Sequence, residues 1–218
     1  MRRFDRINGV GMLAGAAAFT LHVVFRSLMT AGAEPVALAR EPSWVAVNGL
    51  GVVGAVLVLL TLPGTYAVAP ARSRTVGVAA VLLISAAWTY FSLFLSLYGM
   101  LIMPWLAERA PSLLAAAAPL PMGIVIGSVV ALVAWFSGSV LLAIPFLRGR
   151  REPRWAGYLL LTSALWIVVG NVVIAPGGPS SNLAANLLSN LAPVFLVISL
   201  GYLACLPRRQ RMGTASGA

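Results

Sequence analysis

Six apolar runs, each long enough to cross a lipid bilayer as an α-helix, follow one another along the chain with short polar connections between them. They cover residues 9–30, 44–68, 76–103, 122–147, 155–175 and 183–206. The pattern predicts an all-α fold, an integral membrane six-helix bundle, in which the 218 residues form a single transmembrane domain. Because the connections are short, successive helices are expected to pair as three antiparallel hairpins.

A short motif repeats at the start of every odd-numbered run. The motif is Arg-x-x-Gly, and it occurs at Arg6/Gly9, Arg74/Gly77 and Arg154/Gly157. Two interpretations stay open: a threefold duplication of one helical hairpin, or the ordinary tendency of Arg to flank membrane helices.

The charged residues predict the orientation of the helices. All 15 basic residues are Arg, only five residues are acidic, and the net charge is +10. Twelve of the Arg residues fall before run one, between runs two and three, between runs four and five, or after run six. The other connections carry only Arg40 and Arg109, and Arg26 lies inside run one. Positively charged loops stay in the cytoplasm, so both termini are expected there, in a bacterial cytoplasmic (inner) membrane.

Composition excludes several classes of protein. Hydrophobic residues make up 60% of the chain and charged residues 9%, which excludes a soluble globular enzyme, a disordered tail and a coiled coil. The Arg clusters flank apolar runs, so we expect lipid rather than nucleic acid as the partner. We also expect run one to be retained rather than cleaved as a signal peptide, because it is long and contains His22 and Arg26.

The residue inventory also limits the chemistry. The chain has no Lys, so neither retinal nor pyridoxal phosphate can form a Schiff base with it. A single His excludes bis-His haem ligation and a multi-His metal site, and the single Cys205 excludes an internal disulfide. No Asp or Glu lies inside an apolar run, which argues against carboxylate-driven antiport and against intramembrane carboxylate catalysis, including Mg-dependent prenyl transfer. We expect no cofactor and no metal.

Polar side chains inside the runs form the candidate ligand-binding site. They are His22, Arg26, Asn48, Asn171, Asn186 and Asn190, and the predicted topology places all of them in the outer half of the bilayer. We hypothesise that they converge on an outward-facing pocket for an anionic or polar headgroup, with Arg26 as the charge partner. The alternatives are that Arg26 extends to the lipid headgroups and that the Asn side chains only join neighbouring helices.

A stripe of small polar residues runs along the third apolar run. Its members, Ser85, Thr89, Ser92 and Ser96, are spaced to share one face of an α-helix. The stripe predicts either a seam between helices or the wet wall of a cavity, and the seam is the simpler interpretation.

The segment at residues 148–161 reads Arg-Gly-Arg-Arg-Glu-Pro-Arg-Trp-Ala-Gly-Tyr-Leu-Leu-Leu. It resembles small, uncharacterised multi-pass inner-membrane proteins of high-GC bacteria. The resemblance implies a location in the inner membrane, but no activity and no site residue.

Three functions agree with the sequence. The first is a non-enzymatic membrane protein that binds a lipid or an apolar small molecule, or that serves as a subunit of a larger complex with a protein partner or further copies of itself. The second is a permease or channel-like transporter of a small molecule. The third is a lipid-modifying enzyme, for which His22 is the only plausible general base.

Overall fold

The computed structural model describes residues 2–66, 74–114, 121–148, 154–174 and 183–205. Of these, 95% are helical and none lies in a strand, which confirms the all-α prediction. The α-helices are α1 (Arg2–Thr30), α2 (Pro35–Arg40), α3 (Pro42–Tyr66), α4 (Arg74–Trp88), α5 (Leu95–Leu97), α6 (Met103–Arg109), α7 (Met122–Arg148), α8 (Arg154–Val168), α9 (Leu183–Ser189) and α10 (Leu191–Cys205). Three π-helical segments, named π1 (Thr89–Phe94), π2 (Tyr98–Ile102) and π3 (Val169–Ile174), continue some of these helices, and a short 3₁₀ turn covers Pro111–Leu114.

Five helical stretches in the described residues are long and apolar enough to cross a membrane. They are Ile7–Thr30, Pro42–Gly64, Thr75–Arg109, Met122–Arg148 and Leu183–Leu203. Only 28–41% of their most apolar windows is buried within the protein, so most of this apolar surface faces outward. Such a surface is suited to lipid rather than to water. The predicted run at 155–175 is helical through α8 and π3 but is not among these five stretches, and its residue 175 lies outside the described residues.

The long helices pack in the order in which they occur along the chain. α1 contacts α3, α3 contacts α4, α4 contacts α7, α7 contacts α8, α8 contacts α10, and α10 returns to α1. The backbones of α1 and α3 approach closely at Gly54, where an added Cβ atom would lie 2.7 Å from the backbone nitrogen of Phe19. The two helices run antiparallel, because Gly11 faces Thr61 while His22 faces Gly51. Glycine allows the two backbones to approach this closely.

Aromatic side chains fill the middle of the bundle. The Trp88 ring lies 4.7 Å from the Phe19 ring and 5.7 Å from the Trp135 ring, measured between centroids, and both Trp residues are fully buried. The Trp88 indole donates to the carbonyl of Ala55 at 3.3 Å. The Trp135 indole donates to the Ser163 hydroxyl at 3.0 Å.

The Ser163 hydroxyl completes these contacts by donating to the carbonyl of Ala192 at 2.8 Å. The residues involved are Phe19, Ala55, Trp88, Trp135, Ser163 and Ala192, and we call them the central layer. They come from α1, α3, α4, α7, α8 and α10, so one continuous set of contacts joins all the long helices.

The last apolar run is interrupted rather than continuous. α9 ends at Ser189, and α10 begins at Leu191, two residues before Pro193. Proline has no N–H to bond to the carbonyl of Ser189, four residues earlier, and its ring clashes with that carbonyl. The break at Asn190 follows from this.

Short elements cap the end of the bundle where α1 ends and α3 begins, which we call the distal end. Gly32 turns the chain after α1 with φ of +73°, a conformation that favours glycine. The Glu34 carboxylate then caps α2 by accepting from the backbone N–H groups of Val36 and Ala37. α2 packs against α6 through a small apolar cluster of Ala39, Leu106, Ala107 and Leu114.

Candidate functional site

A buried histidine joins three helical elements near the distal end. His22 on α1 is only 2% exposed, and its Nδ1 atom lies 2.8 Å from the carbonyl oxygen of Val47 on α3. A carbonyl can only accept, so Nδ1 carries the proton and Nε2 is left as an acceptor. The Ser96 hydroxyl, on α5, lies 3.5 Å from Nε2 and is placed to donate to it. Gly51 makes room for this pair, since a Cβ there would lie 2.6 Å from the Ser96 oxygen.

An asparagine and a tryptophan continue this polar region along α3. The Asn48 amide donates to the carbonyl of Trp44 at 2.8 Å, and the Trp44 indole donates to the carbonyl of Gly99 at 2.9 Å. Asn48 is fully buried against Gly99. The Asn48 amide leaves no space for a side chain at position 99. Its Oδ1 atom has no hydrogen-bond partner in the part of the chain that the structure describes.

Arg26 lies one helical turn beyond His22 on α1. Its guanidinium carbon is 5.9 Å from the centroid of the Trp44 ring, at the outer limit of a cation–π contact. The side chain is partly buried. Within the described residues, no carboxylate lies within 4.0 Å of its nitrogens, and its N–H groups form no hydrogen bond. We call His22, Arg26, Trp44, Asn48 and Ser96 the distal polar cluster.

The structure therefore brings three of the predicted site residues together and places the other three elsewhere. Asn186 on α9 is buried and donates to the Thr30 hydroxyl, at the end of α1, at 3.4 Å. Asn190 is exposed and donates to the carbonyl of Asn186 at 2.8 Å. Asn171 is also exposed and donates to the carbonyl of Ile167 within its own helix. Asn171 and Asn190 thus make local contacts, whereas Asn186 lies beside the end of α1.

The predicted polar stripe is divided by π1. Thr89 is exposed and donates to the carbonyl of Ser85, one turn earlier, whereas Ser92 and Ser96 are buried. A π-helical turn holds more residues than an α-helical turn, so residues after it are rotated relative to an unbroken α-helix. Of the four residues of the stripe, Ser96 belongs to the distal polar cluster, where it contacts His22.

The sequence analysis did not identify the aromatic residues that define the site. Trp44 holds both Arg26 and the π2 backbone, but an interfacial Trp in an apolar run is too common to stand out. Its position four residues before Asn48 is the signal that would have linked the two on one helix face. The roles of Trp88 and Trp135 could not be predicted either, because these residues make their contacts between helices that are distant in sequence.

The geometry limits what the cluster can do chemically. A serine hydroxyl facing a histidine acceptor is the arrangement of a nucleophile and its base. Here, however, His22 is 2% exposed and Ser96 is 1% exposed, so a substrate has no route to them in this conformation. The Arg26 guanidinium is the one charged group of the cluster. In the described residues, no three His, Cys, Asp or Glu side chains come together as a metal site.

Comparison with known proteins adds no family or function. No protein-family model matches the chain, and neither a curated protein nor a solved structure matches it.

Proposed function

We propose that the chain is a non-enzymatic, multi-pass membrane protein that binds a lipid with an anionic headgroup at the distal end of its bundle. In this proposal six helices cross the cytoplasmic membrane as three antiparallel hairpins. Both termini lie in the cytoplasm, and the distal end faces outward. The Arg distribution supports this orientation, since twelve of the 15 Arg residues lie, in the sequence, before run one, between runs two and three, between runs four and five, or after run six.

The observation that carries the proposal is the missing counter-charge of Arg26. A cation inside a membrane helix costs several kcal/mol unless it is paired or reaches the headgroups. The cation–π contact with Trp44 offsets only about 0.5–2 kcal/mol of this cost. An anion from outside the described residues would supply the remainder.

The surroundings of Arg26 favour a lipid phosphate as that anion. The neighbouring outward-facing residues on α1 are apolar: Leu21 is 49% exposed, Phe25 46% and Leu28 50%. Such a surface faces acyl chains rather than water. Arg26 is four residues from the end of α1, so its long side chain can reach the headgroup layer. Arg forms paired, charge-assisted hydrogen bonds with phosphate, and Trp44 restrains its orientation.

The two other functions have less support. A permease needs a polar path, and the central layer fills the middle of the bundle with the contacting rings of Phe19, Trp88 and Trp135. A lipid-modifying enzyme would use His22 and Ser96, which would first have to become accessible. A role as a subunit agrees with lipid binding and predicts a protein that copurifies with the chain.

The proposal is tested by identifying the lipids that the protein retains. The purified protein is exchanged into lipid nanodiscs that contain equal amounts of phosphatidylglycerol and phosphatidylethanolamine, and the retained lipids are counted by native mass spectrometry. The Arg26→Gln variant should retain several-fold less phosphatidylglycerol. The control is Arg109→Gln, which removes the same charge from an exposed position at the distal end. Equal loss in both variants would show a general effect of charge and would contradict the proposal.

A further inference from the structure

A groove at the distal end carries two opposite charges that do not pair with each other. Its volume is about 430 Å³, and it is lined by Ala39 and Arg40 of α2, Val45 of α3, and Pro104 and Glu108 of α6. In the described part of the chain, no ion pair within 4.0 Å joins Arg40 to Glu108. The groove thus presents a cation and an anion that are not paired with each other.

The cationic wall of the groove is held in place. Arg40 donates from Nη2 to the carbonyl of Ala107 at 2.9 Å, which joins the end of α2 to α6. One hydrogen bond leaves most of the guanidinium N–H groups available to a ligand. Ala39 of α2 and Ala107 of α6 belong to the same apolar cluster, and both are fully buried. This packing supports the same arrangement. The groove is therefore preorganised on the Arg40 side.

An apolar track leads away from the groove along α3. Val45 is 37% exposed, Val53 54%, Val56 38% and Leu60 72%, and their spacing places them on one side of the helix. Trp105, 57% exposed, follows Pro104 at the groove and is typical of the membrane–water interface. A molecule that fills the groove with its polar part can therefore lay an apolar part along α3.

We infer that the groove between α2, α3 and α6 binds a zwitterionic phospholipid. Its phosphate would contact Arg40, its ammonium would contact Glu108, and its acyl chains would follow the track along α3. A soluble zwitterion would leave that track unused, which is why the inference commits to a lipid. The inference does not rest on Arg26, which lies on α1 and is not among the residues that line the groove.

The two charges predict different effects on two lipids, and this difference is the test. The probe is an equal mixture of phosphatidylethanolamine and phosphatidylglycerol in nanodiscs, with retained lipid counted by native mass spectrometry. Glu108→Gln should lower phosphatidylethanolamine retention about two- to fivefold, the size of a solvent-exposed ion pair, and should raise phosphatidylglycerol retention. Arg40→Gln should lower the retention of both lipids. Arg26→Gln, in contrast, should leave phosphatidylethanolamine unchanged, which separates this inference from the proposed function.

Three outcomes would overturn the inference. The first is an unchanged lipid ratio in Glu108→Gln, a variant that breaks no hydrogen bond of the described residues and should fold normally. The second is an equal loss of both lipids in Arg40→Gln and in Arg109→Gln, which removes the same charge from a position of α6 that does not line the groove. The third is that free glycerophosphoethanolamine protects the detergent-solubilised protein against heat as well as the whole lipid does, which would assign the groove to a soluble zwitterion.

Discussion

Replacing Gly54 by alanine should separate α1 from α3, because the added methyl group meets backbone rather than a movable side chain. The new Cβ would lie 2.7 Å from the Phe19 nitrogen and 3.0 Å from the Gly15 carbonyl oxygen. Ordinary contact begins at 3.4 Å, so the helices must move apart by about 0.7 Å at this point. A gap of this size forfeits a quarter to a half of the dispersion energy of each affected atom pair. Overpacking of this kind costs about 1–3 kcal/mol.

A matched variant separates this packing cost from the intrinsic effect of alanine on a helix. Gly49 also lies inside α3, but the nearest atom to the position that its Cβ would occupy is the Met100 sulfur at 3.5 Å, an ordinary contact. Gly49→Ala should therefore gain up to about 1 kcal/mol from helix propensity alone. The difference between the two variants is the packing cost, about 1–3 kcal/mol.

The assay is thermal unfolding in a mild detergent, followed by tryptophan fluorescence. The fluorescence reports on tertiary packing because Trp88 and Trp135 are buried in the central layer. For a chain of this size, the packing cost corresponds to a midpoint roughly 2–12 °C lower for Gly54→Ala than for Gly49→Ala. Equal midpoints would refute the argument that backbone contact at Gly54 sets the distance between α1 and α3.

Two further predictions concern the central layer and the cap of α2. Trp135→Phe removes the donor to Ser163 and should lower the free energy of unfolding by about 1–3 kcal/mol in the same assay. Trp105→Phe, at an exposed site, should change the free energy of unfolding by less than about 0.5 kcal/mol. A larger loss at Trp105 would contradict this. Glu34→Ala removes the cap of α2 and should weaken that helix by about 0.5–2 kcal/mol, seen as faster amide exchange at residues 36–40. Glu34→Gln keeps an acceptor and should exchange more slowly than Glu34→Ala, so equal rates would exclude the capping role.

The hydrophobic pattern was sufficient to predict an all-α fold with several apolar helices long enough to cross a membrane, because a helix satisfies its backbone hydrogen bonds locally. The pattern did not reveal the break at Asn190, because this residue lies inside an apolar run. Pro193, three residues later, was the signal for the break. The π-helical segments were also beyond reach. Nothing in the residues around Thr89 distinguishes a π-helical turn from an α-helical one, and this turn decides which serines are buried.

The sequence indicates where each candidate site residue lies along its helix, but not which way its side chain faces. Depth along a helix follows from sequence position, so the closeness of His22, Arg26 and Asn48 to one end of the bundle could be predicted. Which way a side chain faces depends on the rotation of its helix against its neighbours. The exposed positions of Asn171 and Asn190 follow from such rotations and from the local hydrogen bonds that each makes.

The most direct test of the proposed function is a measurement between Arg26 and lipid phosphorus. The protein is labelled with ¹³C in its arginine guanidinium groups, reconstituted into bilayers that contain phosphatidylglycerol, and examined by ¹³C–³¹P dipolar recoupling in solid-state NMR. The difference between the wild type and Arg26→Gln isolates the signal of this one arginine. We expect that signal to be dephased by phosphorus at the distance of a direct hydrogen bond. An Arg26 signal that is not dephased would show that lipid phosphate is not its counter-charge, and the account of the site would be wrong.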